Sequence, residues 1–240
     1  MTLKEFKFST EEDFLYYLKN LIILAHKTVN RYEEQVKELE EYIQEHNLIE
    51  RPKRVVSYKV YEDFRAKLSY TSTYILNLFG DESEFGTSYK IYRKKAKKRG
   101  IKILDLNDEQ LAELNEVTTS RDWACHIPAS LLHSSIDRAF NLRVNEGPIS
   151  FPEFKRYRGI WLITLFEKCC KNLQGYKGLL NLLKKEYEVL TGEPCIIMPF
   201  KVEIREIDDL QIPEISWLIQ NKKIKSIEDI KKRYEQTKEA

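Results

Sequence analysis

The sequence predicts an all-α fold: a bundle of several helices with a long first helix and a small C-terminal extension that contains a short strand. Three observations favour this class. The 240 residues include only 8 Gly and 7 Pro, so few turns can be built, and 42% hydrophobic with 32% charged residues suits a solvated protein with a substantial core. Apolar residues also recur every three or four positions over long stretches. We expect a helical domain over residues 1–192 and an extension over 193–240.

The first helix is predicted to begin after Ser9 and Thr10, because acids follow at Glu12 and Asp13 as they do in a capped first turn. Apolar residues at helical spacing then continue until a polar stretch that ends at Pro52. A helix of about 38 residues is longer than is usual in globular proteins. It either crosses the whole bundle or pairs with a second chain.

A second helix is predicted from Val56 to Phe79, with Gly80 as its C-terminal stop. The next helical segment, YKIYRKKAKKRG, contains six basic residues among the seven from Arg93 to Arg99. Such a run is most often a solvated helix end whose positive charge suits the C-terminal dipole just before Gly100. The alternative is a contact with the RNA backbone. The candidate RNA-binding residues are Lys94, Lys95, Lys97, Lys98 and Arg99.

Asn107 or Asp108 can cap the next helix, which leads directly into the segment SRDWACHIPAS. Helical spacing continues in SLLHSSIDRAFNLRV and breaks at NEGPISFP. Two more helices are predicted, a central one over 154–173 that is apolar through GIWLITLF, and a second over 176–190 that ends at Gly192. In the extension, CIIMPFKVEIREI predicts either a strand at a sheet edge or an extended arm, and a last helix begins near Ser226.

Composition excludes several functional classes. No apolar run reaches the roughly 18 residues of a membrane span, and the acidic N-terminus does not resemble a signal peptide, so we expect a cytoplasmic protein with no membrane partner. Four cysteines without a CxxC pair predict reduced thiols, no metal and no cofactor. A net charge of +2 does not by itself indicate nucleic-acid binding.

The segment SRDWACHIPAS places Arg121 five positions before His126. Arginine offers a rigid fork of donors for a phosphate, and the pKa of histidine lies near neutrality. Together they could cut RNA without a metal, because the imidazole can move the proton of a 2′-hydroxyl while the guanidinium stabilises the charge of the transition state.

Helical geometry opposes this pairing, because five residues on an ideal helix leave two side chains about 140° out of line. Pro128 interrupts the helical hydrogen bonds at Ala124, so a kink or a new helix start is expected there. Either could bring Arg121 and His126 into one cleft. His133 either lines that cleft or lies at the edge of the core.

The pattern Arg121-Asp122-x-x-x-His126 resembles the R-(polar)-x-His signature of HEPN domains, in which four to six residues separate the two. The resemblance covers these six residues closely and the helices of 56–190 only in general character. It implies a helical bundle that forms a homodimer, with Arg121 and His126 as the catalytic pair and Asp122 as the supporting polar residue. A carboxylate directly beside Arg121 would also compete with phosphate for the guanidinium.

The leading hypothesis is therefore a metal-independent endoribonuclease that cleaves RNA at a dimer cleft, in a toxin or phage-defence system where an antitoxin or another defence protein is the implied partner. The alternative is a non-catalytic helical module that binds RNA, a nucleotide or a protein. On a structural interpretation of the motif, Arg121 pairs with Glu116 or Asp122 on a surface turn and His126 is a core histidine beside Pro128. A third hypothesis is a structural interaction protein in which the long first helix provides the dimer surface.

Overall fold

The fold is all-α, as the sequence predicts. The structure is a computed structural model that describes residues 6–83, 86–125 and 156–199. These residues form five helices and one two-stranded sheet. No helix in these ranges combines the length and the apolar character that crossing a membrane requires.

Helix α1 spans Glu11–Glu45 and is the central helix of the fold. The predicted cap is confirmed: Thr10 Oγ1 accepts a hydrogen bond from the Asp13 N–H, and Asp13 Oδ2 accepts from the Thr10 N–H at 2.8 Å. α1 packs along the last helix and along α2, and one face of it is buried over its whole length. Leu21 and Val29, which a dimer helix would expose, are buried within the single chain. α1 is therefore a core helix.

The small sheet lies where helical turns are predicted. Strand β1, Val55–Ser57, pairs antiparallel with β2, Arg156–Arg158, and Val56 lies opposite Tyr157. The helices α2, Tyr58–Gly80, and α5, Gly159–Thr191, each begin directly after one of these strands. The helices begin at Tyr58 and Gly159, later than the predicted starts near 56 and at 154, because the tertiary pairing holds the two chain segments extended before each helix begins.

Helix α5 corrects a second prediction, since residues 154–173 and 176–190 do not form two helices. Gly175 lies inside one continuous helix of 33 residues. An interior glycine costs only about 0.5–1 kcal/mol relative to alanine, whereas burying one large apolar side chain contributes about 1.5–3 kcal/mol. Buried residues on both sides of Gly175, such as Cys169 and Leu183, keep the helix intact. The GIWLITLF stretch is also less central than predicted, because Ile160 and Trp161 are exposed.

Helices α3, Tyr89–Arg99, and α4, Asp108–Cys125, complete the described bundle. Gly100 ends α3 in the left-handed conformation, with φ 69° and ψ 21°, as predicted. Asn107 caps α4, because its Oδ1 accepts a hydrogen bond from the Gln110 N–H at 2.9 Å. α4 packs on α2 at Gly80, where an added Cβ would lie 3.1 Å from Thr118 Cα. Gly80 is thus a close-packing residue in the last turn of α2.

The C-terminal predictions fall mostly outside the described residues. The chain divides into two compact units, Met1–Ile196 and Ile197–Ala240, and residues 197–199 are the described part of the second unit. Residues 195–199 form no strand. The predicted extension over 193–240 therefore stays a prediction, as do its last helix and the helical segment after residue 129.

Candidate functional site

Helix α3 is fixed to the core by a buried ion pair. Arg93 Nη1 donates to Glu186 Oε2 of α5 at 2.8 Å, and the Glu186 side chain is fully buried. The same carboxylate accepts hydrogen bonds from Tyr89 Oη at 2.5 Å and from the Leu104 N–H at 3.1 Å. Burial and the neighbouring Glu186 raise the pKa of the Tyr89 hydroxyl. Arg93, the first member of the basic run, therefore has a structural role.

The opposite face of α3 carries the cations that the sequence singled out. Tyr89, Tyr92 and Ala96 are buried at helical spacing, Arg93 lies with them, and the basic residues after Arg93 are not part of this buried face. We call the candidate residues the α3 basic surface: Lys94, Lys95, Lys97, Lys98 and Arg99. All are exposed except the half-buried Lys95. Within the described part of the chain, none of the four exposed residues forms an ion pair, whereas Lys90 pairs with Glu82.

One end of the α3 basic surface borders an open cleft of about 390 Å³. The N-terminal segment 6–9 forms its other wall. The described residues that line the cleft are Phe6, Lys7, Phe8, Ser9, Lys95, Lys98 and Arg99. This set includes four cations and no carboxylate, so its charge favours an anionic ligand.

Arg121 lies near the C-terminal end of α4, where it ties that helix to the end of α2. Its Nε donates to Asn77 Oδ1 at 3.1 Å, and its Nη2 donates to Asp81 Oδ1 at 2.9 Å. Its Nη1 donates to Asp122 Oδ1 at 2.9 Å. We call these four residues the Arg121 cluster. The predicted surface pairing with Asp122 is present, and Asp81 adds a second carboxylate.

The Arg121 cluster borders an open depression of about 400 Å³. The two carboxylates of the Arg121 cluster, Asp81 and Asp122, carry two negative charges, whereas Arg121 carries one positive charge. A phosphate that approached the guanidinium would compete with Asp81 and Asp122 for it. The Arg121 cluster is therefore a structural cross-link between α2 and α4, and it is open to solvent through the depression.

The other residues of the predicted catalytic motif, His126, Pro128 and His133, lie outside the described residues. The two described histidines belong to other sites. His26 Nε2 lies 3.2 Å from Asn30 Nδ2 on α1, and His46 stacks on Tyr42 at the end of that helix. Neither lines the depression beside Arg121.

Cysteines and carboxylates do not form a metal site in the described part of the chain, where no group of three potential ligands occurs. Cys169 is a buried free thiol, and burial raises its pKa. Cys170 and Cys195 are partly buried free thiols.

Comparison with known proteins identifies no relative: no family model, no curated protein and no solved structure matches the chain. The functional argument therefore depends on the residues themselves. Sequence reasoning found the α3 basic surface and Arg121. It missed Asn77, Asp81 and Glu186, which are distant in sequence from the arginines that they bind, and it missed the contribution of Phe6 and Lys7. No sequence signal connects these residues to their partners.

Proposed function

We propose that the protein binds RNA through the α3 basic surface. The supporting observation is that the cations of α3 fall into two groups. Arg93 and Lys90 have carboxylate partners. The second group is exposed to solvent and forms no ion pair with any described residue: Lys94, Lys97, Lys98 and Arg99. Contacts of this kind bind the phosphate backbone and release counterions. A single exposed cation has little effect, but several on one helix act together.

The solvated helix end is the competing explanation for this surface. Positive charge in the last turn of a helix is favourable by about 0.3–1 kcal/mol per residue, so Lys97, Lys98 and Arg99 require no ligand. That effect is confined to the last turn and does not account for Lys94. The cleft formed with residues 6–9 also places Lys7 beside this surface, and Lys7 belongs to a different part of the chain.

The test is the salt dependence of RNA binding, measured by fluorescence anisotropy with a labelled oligoribonucleotide. The triple variant Lys94→Gln, Lys97→Gln and Lys98→Gln should weaken binding and reduce the slope of log K against log salt by about 2, since each phosphate contact contributes about 0.7 with a single strand. The matched control changes three exposed α5 residues in the same way: Lys168, Lys171 and Lys185. An equal loss in the control would show that only net charge matters and would refute the assignment to α3.

Metal-independent cleavage of RNA by Arg121 and His126 is a second candidate function. The observation that favours it is the position of Arg121, which is oriented by Asp122 at the edge of an open depression, five residues before His126. The local excess of carboxylate opposes it. On this hypothesis two chains form a homodimer with facing motifs, and a toxin or defence role with a partner protein remains part of the proposal.

Cleavage is tested with the purified protein in EDTA, where 2′,3′-cyclic phosphate ends are the expected product. Arg121→Lys and His126→Ala should each abolish cleavage. Lysine retains the charge and one contact to Asp81 or Asp122, so the fold is less disturbed than by alanine. Urea unfolding of each variant shows whether a loss of activity reflects a loss of structure. Cleavage that survives both substitutions would exclude the pair.

A further inference from the structure

The cleft between residues 6–9 and α3 has an aromatic side as well as a basic one. Phe8 anchors the N-terminal segment, since it is buried and its ring centroid lies 4.7 Å from that of Phe14 and 4.9 Å from that of Tyr17. Phe6, two positions earlier, packs edge-to-face against Phe8, with ring centroids 5.0 Å apart, and is 36% exposed. Tyr16 stacks against it with an interplanar angle of 10°. The Phe6 ring is therefore held at the edge of the cleft with part of its surface open to solvent.

The cations of this cleft come from both walls. Lys7 lies beside Phe6 on the N-terminal segment, and Lys98 and Arg99 lie on the last turn of α3. The nearby carboxylate of Asp13 does not line the cleft, and it is occupied by the N–H groups of Ser9 and Thr10. An anion in the cleft therefore meets positive charge on two sides.

An aromatic ring beside several cations discriminates between forms of RNA. In a duplex the base faces are stacked inside, and only phosphates, 2′-hydroxyls and base edges are presented. In a single strand an unpaired base can stack on an aromatic side chain while its phosphate contacts a cation. A cleft of about 390 Å³ suits one nucleotide unit rather than the width of a double helix.

We infer that this cleft binds one nucleotide of single-stranded RNA, with the phosphate between Lys7, Lys98 and Arg99 and the unpaired base on Phe6. The inference rests on the proposed RNA binding by the α3 basic surface and adds its substrate class. Phe6 supplies the preference for an unpaired base, and the cations supply affinity for the backbone.

The experiment compares a labelled single-stranded decamer with the duplex of the same sequence, by fluorescence anisotropy at one fixed salt concentration. Wild-type protein should prefer the single strand. Phe6→Ala should weaken single-strand binding roughly 5- to 150-fold, the range expected when one stacked base is lost, and should leave duplex binding almost unchanged. Phe6→Trp should retain the preference for the single strand, because tryptophan also offers a stacking surface. The pair of variants therefore distinguishes the loss of that surface from a loosening of the N-terminal segment.

The matched control is Tyr70→Ala, which removes an aromatic side chain that is 70% exposed on α2 and does not line the cleft. It should bind like wild type. An abasic strand provides a second control, because Phe6→Ala should have little further effect on a strand without bases.

The possible failures are distinguishable. If the triple lysine variant on α3 loses binding but Phe6→Ala does not, the single-strand inference is wrong and the proposed RNA surface remains. If neither change affects binding, or if no RNA binds at all, both proposals fail. If polyglutamate binds as tightly as RNA, the surface recognises charge alone, and the inference of a nucleotide site is overturned.

Discussion

Breaking the buried ion pair between Arg93 and Glu186 should be among the most destabilising single substitutions in this fold. Replacing Arg93 with methionine keeps most of the side-chain volume but leaves a fully buried carboxylate without its cation. Removing one partner of a buried pair typically costs about 3–5 kcal/mol. The Arg93 side chain is 13% exposed, and Tyr89 Oη and the Leu104 N–H still donate to Glu186. We therefore expect a loss near the lower limit, about 3 kcal/mol.

The assay is urea unfolding monitored by circular dichroism, with the free energy obtained by linear extrapolation. Adding Glu186→Gln to Arg93→Met should recover part of the loss, because the amide carries no buried charge and its oxygen can still accept a hydrogen bond. Lys97→Met is the matched control on the exposed face of α3, and it should change the free energy of unfolding by no more than about 0.5 kcal/mol. A loss below about 1 kcal/mol for Arg93→Met would refute the reasoning, as would a double variant less stable than the single.

Three further predictions concern local features. Gly80→Ala should destabilise by about 1–2 kcal/mol because its Cβ would press on the α4 backbone. Gly175→Ala, whose Cβ would have no atom of a described residue within 4 Å, should stabilise by up to about 1 kcal/mol, and urea midpoints that shift in the same direction for both variants would contradict this. Backbone hydrogen bonds lower the pKa of Asp13, so its contribution to stability is present above its unfolded pKa of about 3.9 and is lost as the pH falls through the lower folded value. Asp13→Ala should therefore lower Tm at pH 7 and have little effect near pH 2, and equal effects at both would count against the cap. Cys169→Ser should leave thiol labelling of the folded protein unchanged and remove one of the four thiols that react in urea; fast native labelling of Cys169 would show that its site opens.

Local sequence signals predicted the helical class and several helix ends. The acids after Thr10 predicted the start of α1, and Gly100 and Gly192 predicted the ends of α3 and α5. The observed helix ends lie within about two residues of these positions. These signals are reliable because a cap involves only residues within one turn of each other. The predicted break near Gly175 failed for the opposite reason: a weak local preference was outweighed by burial along the whole of α5.

The candidate sites likewise combine residues that local spacing predicts with residues whose partners lie far away in the sequence. Periodicity alone shows which α3 residues project outward, because three or four positions separate Tyr89, Tyr92 and Ala96 along one buried face. The sequence could not show which carboxylate Arg93 binds, since Glu186 lies 93 positions away on α5. Nor could it show that two carboxylates hold Arg121, one of them 40 positions earlier at the end of α2.

The sequence by itself therefore determined the all-α class, the main helices and the cations of the α3 basic surface, because these depend on spacing within one helix. Only the tertiary structure decided which arginines have structural partners and which cations share a cleft with Phe6. Those outcomes depend on packing between helices, where a carboxylate that is distant in the chain can neutralise a charge or leave it available for a ligand.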